Sequence, residues 1–338
     1  MPRTLFRLMV WTLVTAAGVQ AQQPVYTLEV NVPWVSVDVT ATDPSGRTIT
    51  DLEAGDFEVF ENGTRQQIHS FASVATPYNI LLLFDRSGST EHKWQFMLRA
   101  AAGFISNLRT QDRVAIDSFD FGFESVIHWT YKRDVSVAAL SDVVRRGDIG
   151  GTAFYQALET AAHNEFKNIS GRRAIVVLTD GRDTSLYNEI ISRDRMPKAS
   201  DDRRFQKVLK TVRSQHIPVY FIAINTDINL EPNTTGGDEY RNLQKIFPNS
   251  PIPDEFLKQV RERMEQLAGQ SGGRILYPKS TDDIVPMYTQ IGRELGTAYS
   301  LAYVSDNSKS DGSVRRIEVR ANDATLHLSQ SRTAYVAK

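Results

Sequence analysis

Residues 25–73 contain alternating apolar and polar positions, a pattern that predicts strands. Across residues 30–39 the valines nearly alternate with polar residues, and Asp43-Pro44-Ser45-Gly46 is typical of a turn. Residues 56–60 and 67–71 flank a Glu-Asn-Gly turn and predict a β-hairpin. We therefore expect a small β-module over residues 22–76.

After residue 77 the rhythm changes to apolar runs alternating with helical patterns. Such alternation predicts an α/β fold, a doubly wound and mainly parallel sheet covered by helices on both faces. The expected strands of the sheet are residues 79–84, 114–116, 174–178, 218–224 and 274–277. The expected helices are residues 93–107, 136–145, 153–165, 203–215, 254–268 and 282–295. The α/β domain is therefore expected to span residues 77–297.

Three further segments do not follow this alternation. Residues 124–131 follow the strand ending at Phe119 too closely for a crossover helix, so we expect an antiparallel edge strand. Two polar insertions, residues 184–202 and 226–253, are predicted to be mobile loops. The tail, residues 298–338, returns to strand character and is expected to pair with the N-terminal module, because an isolated hairpin is marginal in water.

Composition narrows the possible partners and the compartment. Lys and Arg total 39 and Asp and Glu 40, a net charge of −1, which favours neither nucleic acid nor anionic lipid as a partner.

Residues 1–21 resemble a signal peptide, with Arg3 and Arg7, an apolar run, and Val19-Gln20-Ala21 as a small-x-small cleavage site. The alternative is a membrane anchor, but the run is shorter than a span. With no cysteine for disulfides, export fits a bacterial periplasm or extracellular space.

A polar turn follows the first apolar strand of the α/β region. It reads Asp85-Arg86-Ser87-Gly88-Ser89, and ligands of open α/β sheets bind at the carboxyl ends of the strands. Carboxylate and hydroxyl oxygens suit a hard cation such as Mg2+. Two other loops supply similar groups: Thr152 follows two glycines, and Asp180 follows the strand 174–178 in a Thr-Asp-Gly turn. These oxygens predict a metal site.

In these residues the chain resembles the von Willebrand factor type A domain family, with its metal-ion-dependent adhesion site. The family signature combines an Asp-x-Ser-x-Ser turn, a Thr after a glycine-rich loop, and an Asp in a Thr-Asp-Gly turn. The matching positions are Asp85, Ser87, Ser89, Thr152 and Asp180. The resemblance covers roughly residues 78–295, and the whole layout is similar to bacterial secreted proteins of this kind. It implies bound Mg2+, with Mn2+ or Ca2+ as alternatives.

A plainer interpretation exists for each residue. The hydroxyls of Ser87, Ser89 and Thr152 could cap helices, and Asp180 could lie in an ordinary turn. Arg182 and Asp183 adjoin the site and could tune it or contact a partner, but we interpret them as solvated loop charges. Asp120 and Glu124 are interpreted as hairpin surface residues. The combined motif favours the metal site.

Three functions are compatible with such a site. The first is a metal-dependent adhesion or assembly module that binds a protein partner through its Asp or Glu. The second is a structural subunit of an envelope assembly in which metal only stabilises the fold, and the third is a Mg2+-dependent hydrolase using Asp85. The chain lacks a Cys nucleophile, a Gly-x-Ser-x-Gly elbow and a His-Glu-x-x-His motif, so we expect no enzyme. The first function is favoured.

Overall fold

The structure is a computed structural model that describes residues 34–145, 151–229 and 237–337. The segment predicted as a signal peptide, residues 1–21, and the first part of the predicted β-module lie outside the described residues.

The strands are numbered in chain order. They are β1 Trp34–Thr42, β2 Thr48–Ile49, β3 Phe57–Glu61, β4 Thr64–Gln66, β5 Ile68–Ala72, β6 Tyr78–Asp85, β7 Arg113–Phe119, β8 Phe123–Thr130, β9 Arg172–Thr179, β10 Val219–Ala223, β11 Ile275–Leu276, β12 Tyr299–Val304, β13 Val314–Ala321, β14 His327–Gln330 and β15 Ala334–Val336.

The α-helices are numbered in the same way. They are α1 Trp94–Asn107, α2 Arg133–Arg145, α3 Phe154–Thr160, α4 Thr184–Arg193, α5 Arg203–Gln215, α6 Gly237–Ile246, α7 Ile252–Ser271 and α8 Ile284–Thr297. A π-helical turn, Ala161–Glu165, continues α3, and short 3-10 turns cover Ala54–Asp56, Glu91–Lys93 and Thr281–Asp283.

The α/β part is built on a six-stranded sheet in the order β11-β10-β9-β6-β7-β8. Strands β6, β7, β9, β10 and β11 pair in parallel, and β8 pairs antiparallel with β7 at the edge, as predicted for residues 124–131. The short connection between β7 and β8 permits only a hairpin. Strands β6 and β9, which carry the two predicted acidic ligands, are therefore direct neighbours at the centre of the sheet.

Helices cover both faces of this sheet. Alternate residues of the strands pack against α1, α2 and α8 on one side and against α3 to α7 on the other. This explains why the central strands are continuous apolar runs, since both side-chain orientations are buried. The buried strand β6, for example, directs Leu82 to one core and Leu83 to the other.

The remaining strands form two sheets that pack face to face. One has the order β14-β1-β12-β5, with β2 beside β1, and the other has the order β15-β13-β3-β4. Their shared core contains Val37 and Leu301 from the first sheet and Val59 and Ile317 from the second. Strands from the two ends of the chain thus build one sandwich, which belongs to the same compact unit as the α/β part.

The predicted hairpin differs from the observed pairing. Strand β3 does turn at Asn62-Gly63 into a returning strand, but that strand is the short β4. The next residues form β5, which pairs with β12 of the other sheet, with Phe71 opposite Leu301. The hairpin prediction was therefore wrong for residues 67–71, because a partner strand distant in sequence competes successfully for them.

The two insertions predicted as loops both contain a helix. Helix α4 begins at the first of them, where the Asp183 carboxylate accepts a hydrogen bond from the Ser185 amide and caps the helix, and it buries Leu186 and Ile190 one turn apart. Helix α6 lies within the second and buries Leu243. The prediction overlooked these helices because each presents only a narrow apolar face within a polar segment.

Buried Arg172 links the sandwich to the α/β sheet. Its guanidinium donates to the Tyr78 hydroxyl at 2.8 Å and to the Ala298 carbonyl at 2.6 Å, and it lies over the Tyr78 ring.

Among the described residues, no helix is both long and apolar enough to cross a bilayer.

Candidate metal site

The turn after β6 is held in shape by its own hydrogen bonds. The Ser87 amide donates to Asp85 Oδ1 at 2.9 Å, and the Thr90 hydroxyl donates to the carbonyls of Asp85 and Ser87, each at 2.9 Å. Asp85 and Thr90 have no solvent exposure. These hydrogen bonds fix the conformation of the turn.

This turn brings two serine hydroxyls together. Ser87 Oγ and Ser89 Oγ are 3.0 Å apart, close enough to hydrogen-bond. Neighbouring ligands of an octahedral Mg2+ at about 2.1 Å are themselves about 3 Å apart, so the same separation suits two adjacent metal ligands. Ser87 is buried and Ser89 is half-buried, so the pair opens to solvent on the Ser89 side.

The second carboxylate comes from the adjacent strand. Phe84 pairs with Leu178 in the register of β6 and β9, which brings Asp85 and Asp180 to the same edge. The Thr179 hydroxyl donates to Asp85 Oδ2 at 2.6 Å. Burial, and next the Asp180 carboxylate, raise the pKa of Asp85 above its ordinary value. Two buried acidic groups therefore lie at the ends of neighbouring strands, where a positive charge offsets their repulsion.

Gly181 permits the turn that carries Asp180. Its φ of 73° lies in the left-handed region, and a Cβ there would overlap the side chain of Met264 from α7. Glycine at position 181 is therefore favoured for two reasons, the backbone conformation and the packing against Met264.

Thr152 is attached to the loop that follows Asp180. The Thr152 amide donates to Thr184 Oγ1 at 2.8 Å, and the Thr184 amide donates to the Thr152 carbonyl at 2.9 Å. Asp183 joins the same two segments, since its carboxylate also accepts from the Tyr155 amide at 2.9 Å. A Cβ on Gly151 would overlap Thr184 and Phe121, so glycine precedes Thr152 for lack of space.

The alternative that these hydroxyls cap helices does not match the geometry. The residues at the capping positions are Thr90 and Lys93 before the helical turns after β6, and Ala153 before α3. Ser87, Ser89 and Thr152 occupy none of them. Their hydroxyls are left for another role.

Arg86 is a functional neighbour that sequence reasoning overlooked. Its side chain is buried and forms ion pairs of 3.1 Å with both Asp120 and Glu124. These acids were predicted to be hairpin surface residues, and the pairing with Arg86 corrects that interpretation. The Asp120 backbone carbonyl also accepts a hydrogen bond from the Ala153 amide at 2.8 Å. The network therefore connects the serine turn to the loop that carries Thr152.

Arg182 and Asp183 were interpreted as solvated loop charges, and this is wrong. Arg182 is 1% exposed and Asp183 is 3% exposed. Arg182 Nη1 lies 3.0 Å from Asp180 Oδ2, and Nη2 donates to the Asn225 carbonyl at 2.8 Å. In the sequence these two residues stand out only because they follow Asp180 closely, and that position does not show that their side chains are buried.

The donor set fits a small hard cation. It consists of two carboxylates and three hydroxyls, all oxygen, and Asp180 Oδ2 is buried without a directed hydrogen bond from the described residues. Within those residues no three His, Cys, Asp or Glu side chains are placed to hold a metal, so carboxylates alone do not make this site. Asp85, Ser87, Ser89, Thr152 and Asp180 are the residues that would hold it.

The chain belongs to the von Willebrand factor type A domain family. The family's profile matches residues 79–270, more than half of the chain, and confirms the resemblance inferred from the motif. Domains of this family are typically protein–protein interaction modules rather than enzymes. No curated protein matches the chain significantly.

Several solved structures are similar to this chain at low identity. An aerotolerance-related membrane protein from Bacteroides fragilis is 15% identical, with a TM-score of 0.43, covering 65% of this chain and 98% of that one. A von Willebrand factor type A protein from Catenulispora acidiphila is 14% identical, with a TM-score of 0.44, covering 83% and 72%. Proximal thread matrix protein 1 from the mussel byssus, with a zinc-occupied MIDAS motif, is 16% identical, with a TM-score of 0.47, covering 69% and 49%.

Proposed function

We propose that this protein is an exported, metal-dependent binding module for an acidic group of a protein partner. In this proposal the hydroxyls of Ser87, Ser89 and Thr152 ligate Mg2+, and Asp85 and Asp180 supply charge directly or through water. Mn2+ or Ca2+ would serve as substitutes. Adhesion or assembly, rather than catalysis, is the consequence.

The observation that carries the proposal is the serine pair. Two hydroxyl oxygens 3.0 Å apart stand beside two buried carboxylates, and the hydroxyl of half-buried Ser89 lies on the solvent side. Three hydroxyl ligands, with two carboxylates that act directly or through water, leave the coordination of an octahedral ion to be completed by water or by a partner group. A carboxylate of a partner is a hard oxygen ligand of the kind that Mg2+ prefers, and it suits a position not filled by the protein.

Export to a bacterial periplasm or to the extracellular space is part of the proposal. It rests on the charged start, apolar run and small residues of positions 1–21. In that compartment a site made of oxygen ligands needs no reducing environment, and the chain contains no cysteine to oxidise.

The test is calorimetric titration of the protein with Mg2+ and with Mn2+. Asp85→Asn keeps the shape of the side chain and removes its charge, so we expect metal binding to be lost. Asp112→Asn is the matched control, because Asp112 is also buried but precedes β7 at the opposite end of the sheet, where it accepts the Tyr78 amide. Unchanged metal affinity in Asp85→Asn would refute the site.

A second measurement separates binding from a purely structural role. Partners captured from the native source are compared with and without chelator, and circular dichroism checks the fold in both conditions. Loss of capture with the fold retained supports the binding role. Capture that is indifferent to chelator would leave metal as a stabiliser of an envelope subunit.

A further inference from the structure

The carboxylate of Asp180 is already engaged by a cation of the protein itself. The Arg182 amide donates to Asp180 Oδ1 at 3.1 Å, and Arg182 Nη1 lies 3.0 Å from Oδ2. Both side chains are at most 1% exposed. A predicted metal ligand thus forms a buried ion pair with a residue two positions away.

Several polar atoms of this ion pair lack a well-directed hydrogen bond. The distance between Nη1 and Oδ2 is that of a salt bridge, but neither atom has a directed hydrogen-bond partner among the described residues. Arg182 Nε also has none. The pair therefore balances the charge of Asp180 without forming a well-directed hydrogen bond.

Asn225 holds the Arg182 side chain in place. Its carbonyl accepts from Arg182 Nη2 at 2.8 Å, and its side-chain amide donates to the Ser89 carbonyl at 3.1 Å and accepts from Lys93 Nζ at 3.0 Å. Asn225 is fully buried with a φ of 52°, a conformation that asparagine tolerates better than most residues. The loop after β10 therefore ties Arg182 to the serine turn.

We propose that Arg182 is the internal counter-cation of the metal site and weakens its affinity for divalent metal. The inference rests on the proposed function, because it concerns the same site. Asp85 and Asp180 are buried at the ends of neighbouring strands, and Arg182 forms an ion pair with one of them. A metal ion that uses Asp180 must share it with a guanidinium of like charge.

Two consequences follow for a neutral residue at position 182. The metal-free protein loses its compensation for two buried carboxylates and becomes less stable. The metal-bound protein loses a repulsive charge, so the metal binds more tightly. Arg182 therefore keeps the fold stable without metal at the expense of metal affinity.

The experiment compares Arg182→Gln with the wild-type chain by calorimetric titration with Mg2+ and by thermal denaturation with and without Mg2+. We expect an affinity roughly tenfold higher or more, from removal of one charge beside the ion. The metal-free melting temperature should fall and the increase on adding Mg2+ should grow. Neither readout requires a partner protein.

Two variants separate charge from packing. Arg182→Lys keeps the charge, so its metal affinity should stay near that of the wild type even if its stability falls. Arg263→Gln is the matched control: Arg263 is equally buried and pairs with Asp202, with no contact to the site residues among its hydrogen bonds. It should lower stability and leave metal affinity unchanged.

The outcomes are distinguishable from failure of the proposed function. Equal or weaker Mg2+ binding by Arg182→Gln, with binding by the wild type, would overturn this inference and leave the metal site standing. Binding by Arg182→Gln with none by the wild type would support the inference and contradict the proposed function. Absence of binding in both would overturn both.

Discussion

A buried carboxylate on the strand next to β6 should make the stability of this protein depend on pH. Asp117 lies on β7, has no exposed surface, and neither of its oxygens accepts a directed hydrogen bond from the described residues. Burial, and next the carboxylate of Glu165, raise the pKa of Asp117 from 3.8 to about 8, and Ser125 opposes the rise only in part. The folded protein therefore keeps a proton on this group that the unfolded chain releases.

The direction and size of the effect follow from that difference. Above the pKa of the unfolded chain, unfolding releases the proton, so the free energy of unfolding falls as pH rises and levels off above the pKa of the folded state, about 8. At about 1.4 kcal/mol per pH unit, the loss between pH 5 and pH 8 amounts to roughly 4 kcal/mol at most. Local relaxation around the carboxylate would reduce this figure.

Asp117→Asn tests this reasoning, because it keeps the size of the side chain and removes its titration. Urea denaturation of both proteins at pH 5, 6, 7 and 8 gives the free energy of unfolding of each. The unpaired amide of the variant lowers its free energy of unfolding by the same amount at every pH. This contribution therefore does not affect how the difference between the two proteins changes with pH. We expect that difference to shift in favour of the variant by up to about 4 kcal/mol from pH 5 to pH 8. Parallel pH profiles would refute the buried, proton-holding state of Asp117.

Three further predictions concern folding and processing. Gly181→Ala should lower the free energy of unfolding by roughly 1–3 kcal/mol through backbone strain and overlap with Met264, and an unchanged urea midpoint would contradict this. Arg172→Ala should lower it by about 3 kcal/mol, because buried hydrogen bonds to the sandwich and the sheet are lost; a change under about 1 kcal/mol in urea denaturation would show that water replaces them. Intact-mass analysis of exported protein should show Gln22 at the N-terminus, and retention of Met1 would reject cleavage after Ala21.

Much of the fold was predictable because its information is local. The central strands are short apolar runs bounded by turn residues, and burial on both faces leaves little freedom in their composition. Helix α5 was predicted at its observed limits, since Asp202 caps it and its apolar residues fall on one face. The candidate metal residues could be picked out for a related reason: each follows a strand or precedes a helix, where a parallel sheet collects its loops.

The environment of those residues was not predictable from the same pattern. Arg182 and Asn225 are both polar loop residues in the sequence, and nothing in their neighbours indicates that they are buried against each other. Their contact joins loops that follow two different strands of the sheet. Charge in a loop is usually solvated, so only the packed structure reveals a cation beside Asp180.

By itself the sequence determined most of the strands and helices of the α/β part, though not α4 and α6, the family to which they belong, and the residues proposed to hold a metal. Those properties depend on the periodicity and spacing of near neighbours. The tertiary structure decided that β5 pairs with β12 rather than with β3, and that Arg182 and Asn225 stand around the candidate site. These contacts join residues that are distant along the chain. Which of them form depends on burial and hydrogen bonding throughout the folded protein rather than on any local preference.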